Sequence, residues 1–174
     1  MGNTVRVYSL DASVVIDLFE HYPDDIFPPI WEALDVLAGE KRIVMAEQAK
    51  NECHDQQAKD WLGKHKDIVM AFSPMLNECM LDLMADLAKA GLQLIRPTSP
   101  KNAGDPWVIA AAMAYNRAES GKDVGHACVL TSEKPAGENA IKVKIPNVCA
   151  RRGIEYVNFI ELMRLEDWKL EKLA

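Results

Sequence analysis

The chain has 174 residues, of which 49% are hydrophobic and 26% charged, a composition that excludes disordered and fibrous proteins. This length predicts a single domain over residues 1–174, large enough to fold without a disulfide or a metal staple. Lysine and arginine number 20 and aspartate and glutamate 26, and the net charge of −6 argues against binding to nucleic acid through bulk charge alone.

The amino-terminal residues lack the basic and apolar segments of a signal peptide, and no apolar run reaches the ~20 residues of a membrane span. The cysteines, Cys53, Cys79, Cys128 and Cys149, form no C-x-x-C pair, so free buried thiols are favoured over a zinc site. We therefore predict a cytoplasmic protein that is not bound to a membrane.

The first half of the chain alternates apolar, β-branched runs with stretches of helical periodicity. Pro23 ends the first predicted helix, and Pro28 and Pro29 open the second. The predicted elements are, in order, a strand at 4–10, a helix at 14–23, a helix at 30–41, a strand at 42–45, a polar helix from 47 to about 66, and a helix at 74–91.

The second half contains a strongly apolar helix that Asp105 and Pro106 open, and whose small residues predict packing on most sides. A turn-rich loop precedes it and an apolar strand follows it. The predicted elements are a brief strand at 92–95, a loop at 96–104, a helix at 105–120, a strand at 126–130, a polar loop at 134–142, a short helix at 147–153, a strand at 154–157 and a helix at 158–170.

Apolar strands that alternate with helices predict an α/β fold with three layers, α/β/α, around a central, mostly parallel sheet of four to five strands. Right-handed crossovers bring the carboxyl ends of such strands to one edge of the sheet. Because ligands of open α/β sheets bind at that edge, catalytic or ligand-binding residues are expected there.

Acidic residues from four segments converge on the predicted edge. Asp11 ends the first strand, Glu133 follows the strand at 126–130, Asp105 opens the apolar helix, and Glu47 and Glu52 follow the second strand. Carboxylates this close repel each other unless a cation holds them, and oxygen-only ligands suit Mg²⁺ or Mn²⁺. Such ions activate water for phosphodiester cleavage.

Each acid also has a structural alternative. Asp105 stands before a proline and could serve as a helix N-cap, Asp11 could cap the first helix, and Glu133 could be a solvated loop residue. Glu47 and Glu52 are five residues apart, about 140° around a helix, so one of them is expected on the surface. The coincidence of the acids at one edge favours the functional interpretation.

Other classes of protein were weighed against this one. The sequence has no Gly-x-Ser-x-Gly elbow, Walker loop or Gly-x-Gly-x-x-Gly fingerprint, which sets aside serine hydrolases, P-loop enzymes and dinucleotide enzymes. A phosphoryl-transfer α/β protein of the haloacid-dehalogenase type would have an acid where Ser13 stands. A non-enzymatic binding module with an incomplete acidic site stays open as an alternative.

In chain order these motifs resemble those of PIN domains, the nuclease fold that includes the VapC-like toxins. Asp11-Ala12-Ser13 resembles the opening Asp-x-Ser motif, and Glu52 resembles the acid after the second strand. Asp105-Pro106-Trp107-Val108-Ile109-Ala110-Ala111 resembles the Asp-x-x-Ile-Ala-Ala motif, and Thr131-Ser132-Glu133 stands where many relatives have Thr-x-Asp. The FPPIWEAL helix and the KIPNVC segment extend the resemblance, to one branch of the superfamily, over nearly the whole chain.

The resemblance implies a Mg²⁺- or Mn²⁺-dependent endoribonuclease, with Asp11, Glu52, Asp105 and Glu133 as catalytic residues and metal ligands. Asp11 and Asp105 would bind one ion directly, whereas Glu52 and Glu133 would bind a second ion or orient waters. Ser13 and Thr131 would support the ligands through hydrogen bonds. Because Glu133 stands where many relatives have Asp, the number of bound ions, one or two, stays open. The choice of Glu52 over Glu47 rests on the resemblance.

The resemblance also implies the toxin of a toxin–antitoxin pair, with an antitoxin partner and a possible homodimer. RNA binding by a chain of this net charge requires basic residues concentrated near the site. The candidates for RNA binding are Lys101, Lys134, Lys142, Lys144, Arg151 and Arg152.

Overall fold

The computed structural model describes residues 5–94, 103–120 and 125–170. Within them, five strands form one sheet in the order β3-β2-β1-β4-β5, and every neighbouring pair is parallel. The strands are β1 (Arg6–Leu10), β2 (Ile43–Ala46), β3 (Val69–Met70), β4 (His126–Leu130) and β5 (Tyr156–Val157).

Helices connect the strands and cover the sheet. They are α1 (Ala12–His21), α2 (Pro28–Gly39), α3 (Glu47–Lys50), α4 (Gln56–Lys64), α5 (Pro74–Lys89), α6 (Asp105–Ala118), α7 (Ile145–Arg152) and α8 (Phe159–Leu165), with a 3₁₀ turn at Lys66–Ile68. Tyr8 and Ser9 are both fully buried, and because successive strand residues point to opposite faces, both faces of β1 are covered. The predicted α/β/α fold with a central parallel sheet is confirmed.

Helix α6 runs through the middle of the molecule. Residues 108 to 112 on it are fully buried, which explains why small side chains recur in this helix. The hydroxyl of Ser9 donates a hydrogen bond to the carbonyl oxygen of Val108 at 2.7 Å and ties the helix to β1. This contact satisfies a buried polar pair and fixes where the first turn of α6 meets the sheet edge.

The predicted helix from 47 to about 66 is wrong, because the chain turns between α3 and α4. The carboxylate of Asp55 accepts hydrogen bonds from the backbone N–H groups of Gln57 and Ala58 and begins a new helix. Strand β3 was not predicted, since a strand of two residues carries too little periodicity.

At 92–95, where a brief strand is predicted, the described residues form only an isolated bridge, between Gln93 and Lys142. The last helix ends at Leu165 rather than 170, and most of the predicted loop at 96–104 lies outside the described residues. Cys53, Cys79, Cys128 and Cys149 are free and buried. Across residues 5–94, 103–120 and 125–170, no helix has the length and apolar character needed to cross a membrane.

A charged cluster joins the last described turn of the chain to β1 and to the residue before β2. Arg42 donates two hydrogen bonds to the Glu166 carboxylate, at 2.8 and 2.6 Å, and the hydroxyl of Tyr8 donates a third at 2.6 Å. Burial raises the pKa of Glu166, but the hydrogen bonds from Arg42 and Tyr8 outweigh it and hold that pKa below its usual value. The ionised carboxylate therefore stabilises the fold.

We expect Glu166→Gln to lower the free energy of unfolding by about 2 kcal/mol, because the half-buried Arg42 guanidinium loses its charged acceptor. In a chain of this size the melting temperature should fall by about 4–8 °C. The control is Glu138→Gln, on an exposed loop residue, which should melt with the parent protein. Equal melting of the two variants would show that the cluster does not stabilise the fold.

Candidate functional site

Asp11 lies at the carboxyl end of β1, in the middle of the sheet, and is 4% exposed. It occupies the N-cap position of α1, but its side chain makes no capping hydrogen bond to that helix. Its Oδ2 atom instead accepts hydrogen bonds from the hydroxyls of Ser13, at 2.5 Å, and Thr131, at 2.8 Å. The Asp11 side chain therefore does not cap α1, and its carboxylate belongs to a polar network with Ser13 and Thr131 instead.

The same two hydroxyls also hold the loop that follows β4. The backbone N–H of Ser132 donates to the Ser13 hydroxyl at 3.2 Å, and that of Glu133 donates to the Thr131 hydroxyl at 3.1 Å. Thr131 is 1% exposed, so its hydroxyl is satisfied inside the protein. Ser13 and Thr131 thus position both the Asp11 carboxylate and the loop carrying Glu133.

Asp105 is the first residue of α6, and Gly104 holds the N-cap position. The alternative of Asp105 as an N-cap is therefore wrong. Its carboxyl group is 5% exposed and lies close enough to Asp11, Glu52 and Glu133 for their charges to affect its pKa. Asp105 is thus a buried acid at a helix start where the N-cap position is already filled.

Glu52 reaches the same helix start from the turn between α3 and α4. Its Oε1 atom accepts a hydrogen bond from the backbone N–H of Gly104 at 2.7 Å. Glu47 lies at the start of α3 and is exposed. Of the two candidates, Glu52 is the one that joins the cluster.

Glu133 is not a solvated loop residue, since its side chain is 14% exposed and both oxygens are engaged. Lys144 Nζ donates to Oε1 at 2.8 Å, and the backbone N–H of Ile145, the first residue of α7, donates to Oε2 at 2.9 Å. The carboxylate therefore accepts a hydrogen bond from a free backbone N–H group at the start of α7 and also faces the other acids.

The electrostatics of the cluster follow from burial and like charge. Burial, followed by the charges of Asp11, Glu133 and Glu52, raises the pKa of Asp105 to about 8, against the opposing effect of Lys144. Burial also raises the pKa of Asp11, although the hydrogen bonds from Ser13 and Thr131 oppose that rise. Two buried carboxyl groups thus resist full ionisation unless a cation joins them.

The donor set fits a hard divalent cation, because it consists of carboxylate oxygens with hydroxyls behind them. The four acids are further apart, however, because no three of Asp11, Glu52, Asp105 and Glu133 bring their donor atoms within 4.8 Å of one another. In the described ranges, the three ligating side chains whose donor atoms all come within 4.8 Å of one another are Asp17, Glu20 and His21, on α1. Those three lie one helical turn apart, and Glu20 and His21 are exposed, as is common without any ion.

The five predicted basic residues that the structure describes fall into three groups. Lys144 faces the acids, and its contact with Glu133 raises its pKa. Lys134 and Lys142 are exposed near the same loop, and Lys101 lies outside the described residues. Two further predicted cations tie α7 to α5: Arg151 binds Asp86 at 2.9 Å and Arg152 binds Asp82 at 2.6 Å.

Two residues of the site were missed by the sequence analysis. A Cβ atom on Gly104 would lie 2.9 Å from Ala49 Cα, so only glycine lets the start of α6 approach α3 this closely. The side-chain amide of Asn147 binds the backbone of Ala136 and Lys144 and holds the loop between Glu133 and α7. The glycine before Asp-Pro was visible in the sequence, and Asn147 lies in the KIPNVC segment, but no local pattern indicated which backbone groups its side-chain amide would bind.

The chain belongs to the family described as Domain of unknown function (DUF4411), whose profile matches residues 8–170. Among solved structures it is similar to a VapBC-1 structure from nontypeable Haemophilus influenzae, with 15% identity and a TM-score of 0.50. The match covers 88% of this chain and 98% of that one, and it shows a shared PIN-like α/β fold. No curated protein matches the sequence.

We expect Gly104→Ala to destabilise the protein by roughly 1–3 kcal/mol, because the added methyl group overlaps the backbone of Ala49. Gly63 lies inside α4, and a Cβ atom added there would meet no atom within 4 Å, so Gly63→Ala should stabilise by about 0.5–1 kcal/mol. Thermal denaturation of the two variants measures both effects. A Gly104→Ala variant as stable as Gly63→Ala would contradict the close approach of α6 and α3.

The raised pKa of Asp105 predicts a pH-dependent loss of stability in the metal-free protein. The unfolded chain releases the proton near 3.8 and the folded chain near 8, so the stabilisation present below pH 3.8 is lost as pH rises toward 8. Asp105→Asn should therefore melt above the parent at pH 8, and the difference should shrink toward pH 4. Glu47→Gln, which removes an exposed acid, is the control. A difference for Asp105→Asn that does not change between pH 4 and pH 8 would contradict the burial of that acid.

Proposed function

We propose that the chain is a metal-dependent endoribonuclease that hydrolyses RNA phosphodiester bonds at the carboxyl edge of the sheet. The observation that carries the proposal is the burial of Asp11 and Asp105, at 4% and 5% exposure, beside two further acids. Burying unpaired carboxylates is costly, and a bound cation is the ordinary way to offset that cost. The resemblance of the motifs to PIN domains points to the same chemistry.

Asp11 and Asp105 would hold the ion, Mg²⁺ or Mn²⁺. When bound, it supplies positive charge for the phosphate and lowers the pKa of a bound water. Ser13 and Thr131 keep the Asp11 carboxylate in one orientation, and supporting hydrogen bonds of this type raise the affinity of metal ligands.

One ion is better supported than two. The oxygens of Glu133 are engaged by Lys144 and the start of α7, and Glu52 accepts the Gly104 N–H. These two acids are therefore placed to accept hydrogen bonds from waters around the ion rather than to bind a second ion. Mg²⁺ usually keeps several waters, which suits an open site with two carboxylates.

Lys144 is the cation best placed to meet the substrate. It lies against Glu133, and its charge acts on Asp105 and Asp11, so a phosphate drawn to the ion would enter beside it. Lys134 and Lys142, which are near Glu133 and Lys144 in the chain, are further candidates. Arg151 and Arg152 pair with Asp86 and Asp82 on α5 and are left out of the proposed RNA contacts. A few lysines close to the site are enough for an acidic protein to bind RNA, because RNA binding depends on positive charge near the phosphates.

We further propose that the protein is the toxin of a toxin–antitoxin pair. The fold shared with the VapBC-1 structure supports this, together with the resemblance of the motifs to VapC-like toxins. An antitoxin partner and a homodimer belong to the same proposal. Expression of the parent should then arrest growth, and expression of an Asp11→Asn variant should not.

A catalytically weak or inactive binding module is the second candidate. The observation in its favour is the full engagement of Glu133 by Lys144 and the Ile145 N–H, which leaves the fourth acid without an open coordination role. Metal binding without RNA cleavage would distinguish this candidate from the nuclease.

Calorimetric titration of Mn²⁺ into the metal-free protein tests the site. The parent should bind the ion, an Asp11→Asn, Asp105→Asn double variant should not, and Ser13→Ala should bind about tenfold more weakly. The matched control is Asp17→Asn, which removes an acid from the exposed cluster on α1 and should bind like the parent.

Single-stranded and structured RNA are then incubated with each protein and Mn²⁺. Cleavage by the parent and the Asp17→Asn control, and none by the double variant, is the expected result. Equal Mn²⁺ affinity in the parent and the double variant would contradict the metal site. Loss of Mn²⁺ binding in Asp17→Asn alone would show that the ion binds to the exposed cluster on α1 instead.

A further inference from the structure

A cavity of about 370 Å³ beside α4 is lined by positively charged side chains. Its charged lining residues are Lys50, His54, Lys59 and Lys66, and no acidic residue of the described chain lines it. The protein as a whole has six more acids than lysines and arginines. Positive charge is therefore concentrated at this cavity against the balance of the whole chain.

Two short segments supply the lining. Lys59, Leu62 and Gly63 are three and four residues apart on α4, so they share one face of that helix, and Lys66 follows in the 3₁₀ turn. The rest of the lining comes from residues 50–54, which are the end of α3 and the turn after it. The break between α3 and α4 therefore creates the cavity.

The lining is apolar where it is buried and cationic where it is exposed. Cys53 and Leu62 are 2% and 1% exposed, whereas His54, Lys59 and other cationic lining residues face the solvent. Gly63 leaves room beside them, because a Cβ atom added there would meet no atom within 4 Å. The cavity thus has an apolar base and a basic rim.

The lysines of the rim are not neutralised within the protein. In the part of the chain that the structure describes, the ammonium groups of Lys50, Lys59 and Lys66 have no ion-pair partner. Lys144 and Arg151, by contrast, each bind a carboxylate. The rim therefore keeps a positive potential that an anionic ligand would neutralise.

The acids close to these lysines in sequence have other positions and partners. The Glu52 carboxylate accepts the Gly104 N–H, and that of Asp55 accepts two backbone N–H groups at the start of α4. Asp60 lines a different cavity, of about 310 Å³, and Asp67 is exposed and lines neither. The separation of the acids from the lysines is thus a property of the local fold.

We propose that this cavity binds a small polyphosphorylated molecule, of the size of a nucleoside di- or triphosphate. Its phosphates would contact Lys50, Lys59 and Lys66, since lysine binds phosphate as a point charge, and its less polar part would lie against Leu62. The volume is within the range of about 300–1,000 Å³ that is usual for small-molecule sites. The proposal is independent of the ribonuclease function, because the lining includes none of the four acids.

The shape of the basic surface favours a small ligand over an RNA strand. A single strand is bound along a positively charged groove that follows several nucleotides. Here the lysines surround one cavity, and Lys64, the next lysine on α4, lines the other cavity together with Asp24 and Asp60. Three lysines around one cavity instead match the several negative charges of a polyphosphate.

Calorimetric titration in EDTA tests the site with three probes: tripolyphosphate, ATP and adenosine. The parent should bind tripolyphosphate and ATP but not adenosine. A Lys50→Gln, Lys59→Gln, Lys66→Gln triple variant should bind tripolyphosphate about 100-fold more weakly, roughly a factor of five for each lost charge. Lys64→Gln is the matched control, since it removes an exposed lysine of the same helix and should bind like the parent. Equal tripolyphosphate affinity in the parent and the triple variant would overturn the proposal.

A variant that fills the cavity separates a defined site from general surface charge. Gly63→Leu adds a side chain toward open space without changing any charge, so its melting temperature should not fall. Its affinity for ATP should be at least about tenfold weaker than that of the parent, because the ligand and the new side chain compete for the same volume. Parent-like ATP binding by a folded Gly63→Leu variant would show that ATP binds outside the cavity and would overturn the proposal.

A labelled single-stranded RNA of about 12 nucleotides, titrated in EDTA, distinguishes the other source of phosphate. RNA binding that the triple variant weakens, with no tripolyphosphate binding by the parent, would assign the lysines to an RNA backbone and overturn the small-molecule site. RNA cleavage with Mn²⁺ is measured on the parent separately. Tripolyphosphate binding without cleavage would support the cavity and contradict only the nuclease.

Discussion

The cost of ionising Asp11 and Asp105 together, inside the protein and beside Glu52 and Glu133, is the constraint on which the rest of the site depends. Burial raises the pKa of both buried acids, and the neighbouring charges raise that of Asp105 further, to about 8. The surrounding structure offsets part of this cost through hydroxyls, backbone N–H groups and Lys144. What remains is a site with a surplus of negative charge and oxygen donors, which is the electrostatic basis for the proposed cation.

Three packing contacts bring the acids together from distant parts of the chain. The bond from Ser9 to the Val108 carbonyl sets α6 against β1, and the missing side chain of Gly104 lets the start of that helix approach α3. The carboxylate of Glu133 then joins the loop after β4 to the start of α7. Each contact serves the fold and the site at once, so mutations here would change stability and function together.

The two edges of the sheet differ in how their acids are paired. At the carboxyl edge Lys144 contacts Glu133, while Asp11 and Asp105 stay buried with raised pKa values. The residues at the opposite edge, where Glu166 accepts from Arg42 and Tyr8, have a structural role that their lowered pKa explains.

The sequence by itself determined the fold class and indicated the strand-end acids Asp11 and Glu133, since apolar runs and the residues that end them are local features that periodicity reveals. It also indicated Asp105 as a site residue, but left open that this acid only caps a helix, because the chain's path into α6 depends on the contact of Gly104 with Ala49 and Glu52. Only the tertiary structure decided between Glu47 and Glu52. It also showed that Glu133 pairs with Lys144, and that Arg151 and Arg152 pair with acids on α5. The contact of Phe72 with Trp107 was likewise visible only there. All of these depend on contacts between residues far apart in sequence, on which local propensity carries no information, and the two-residue strand β3 is too short for any pattern to predict.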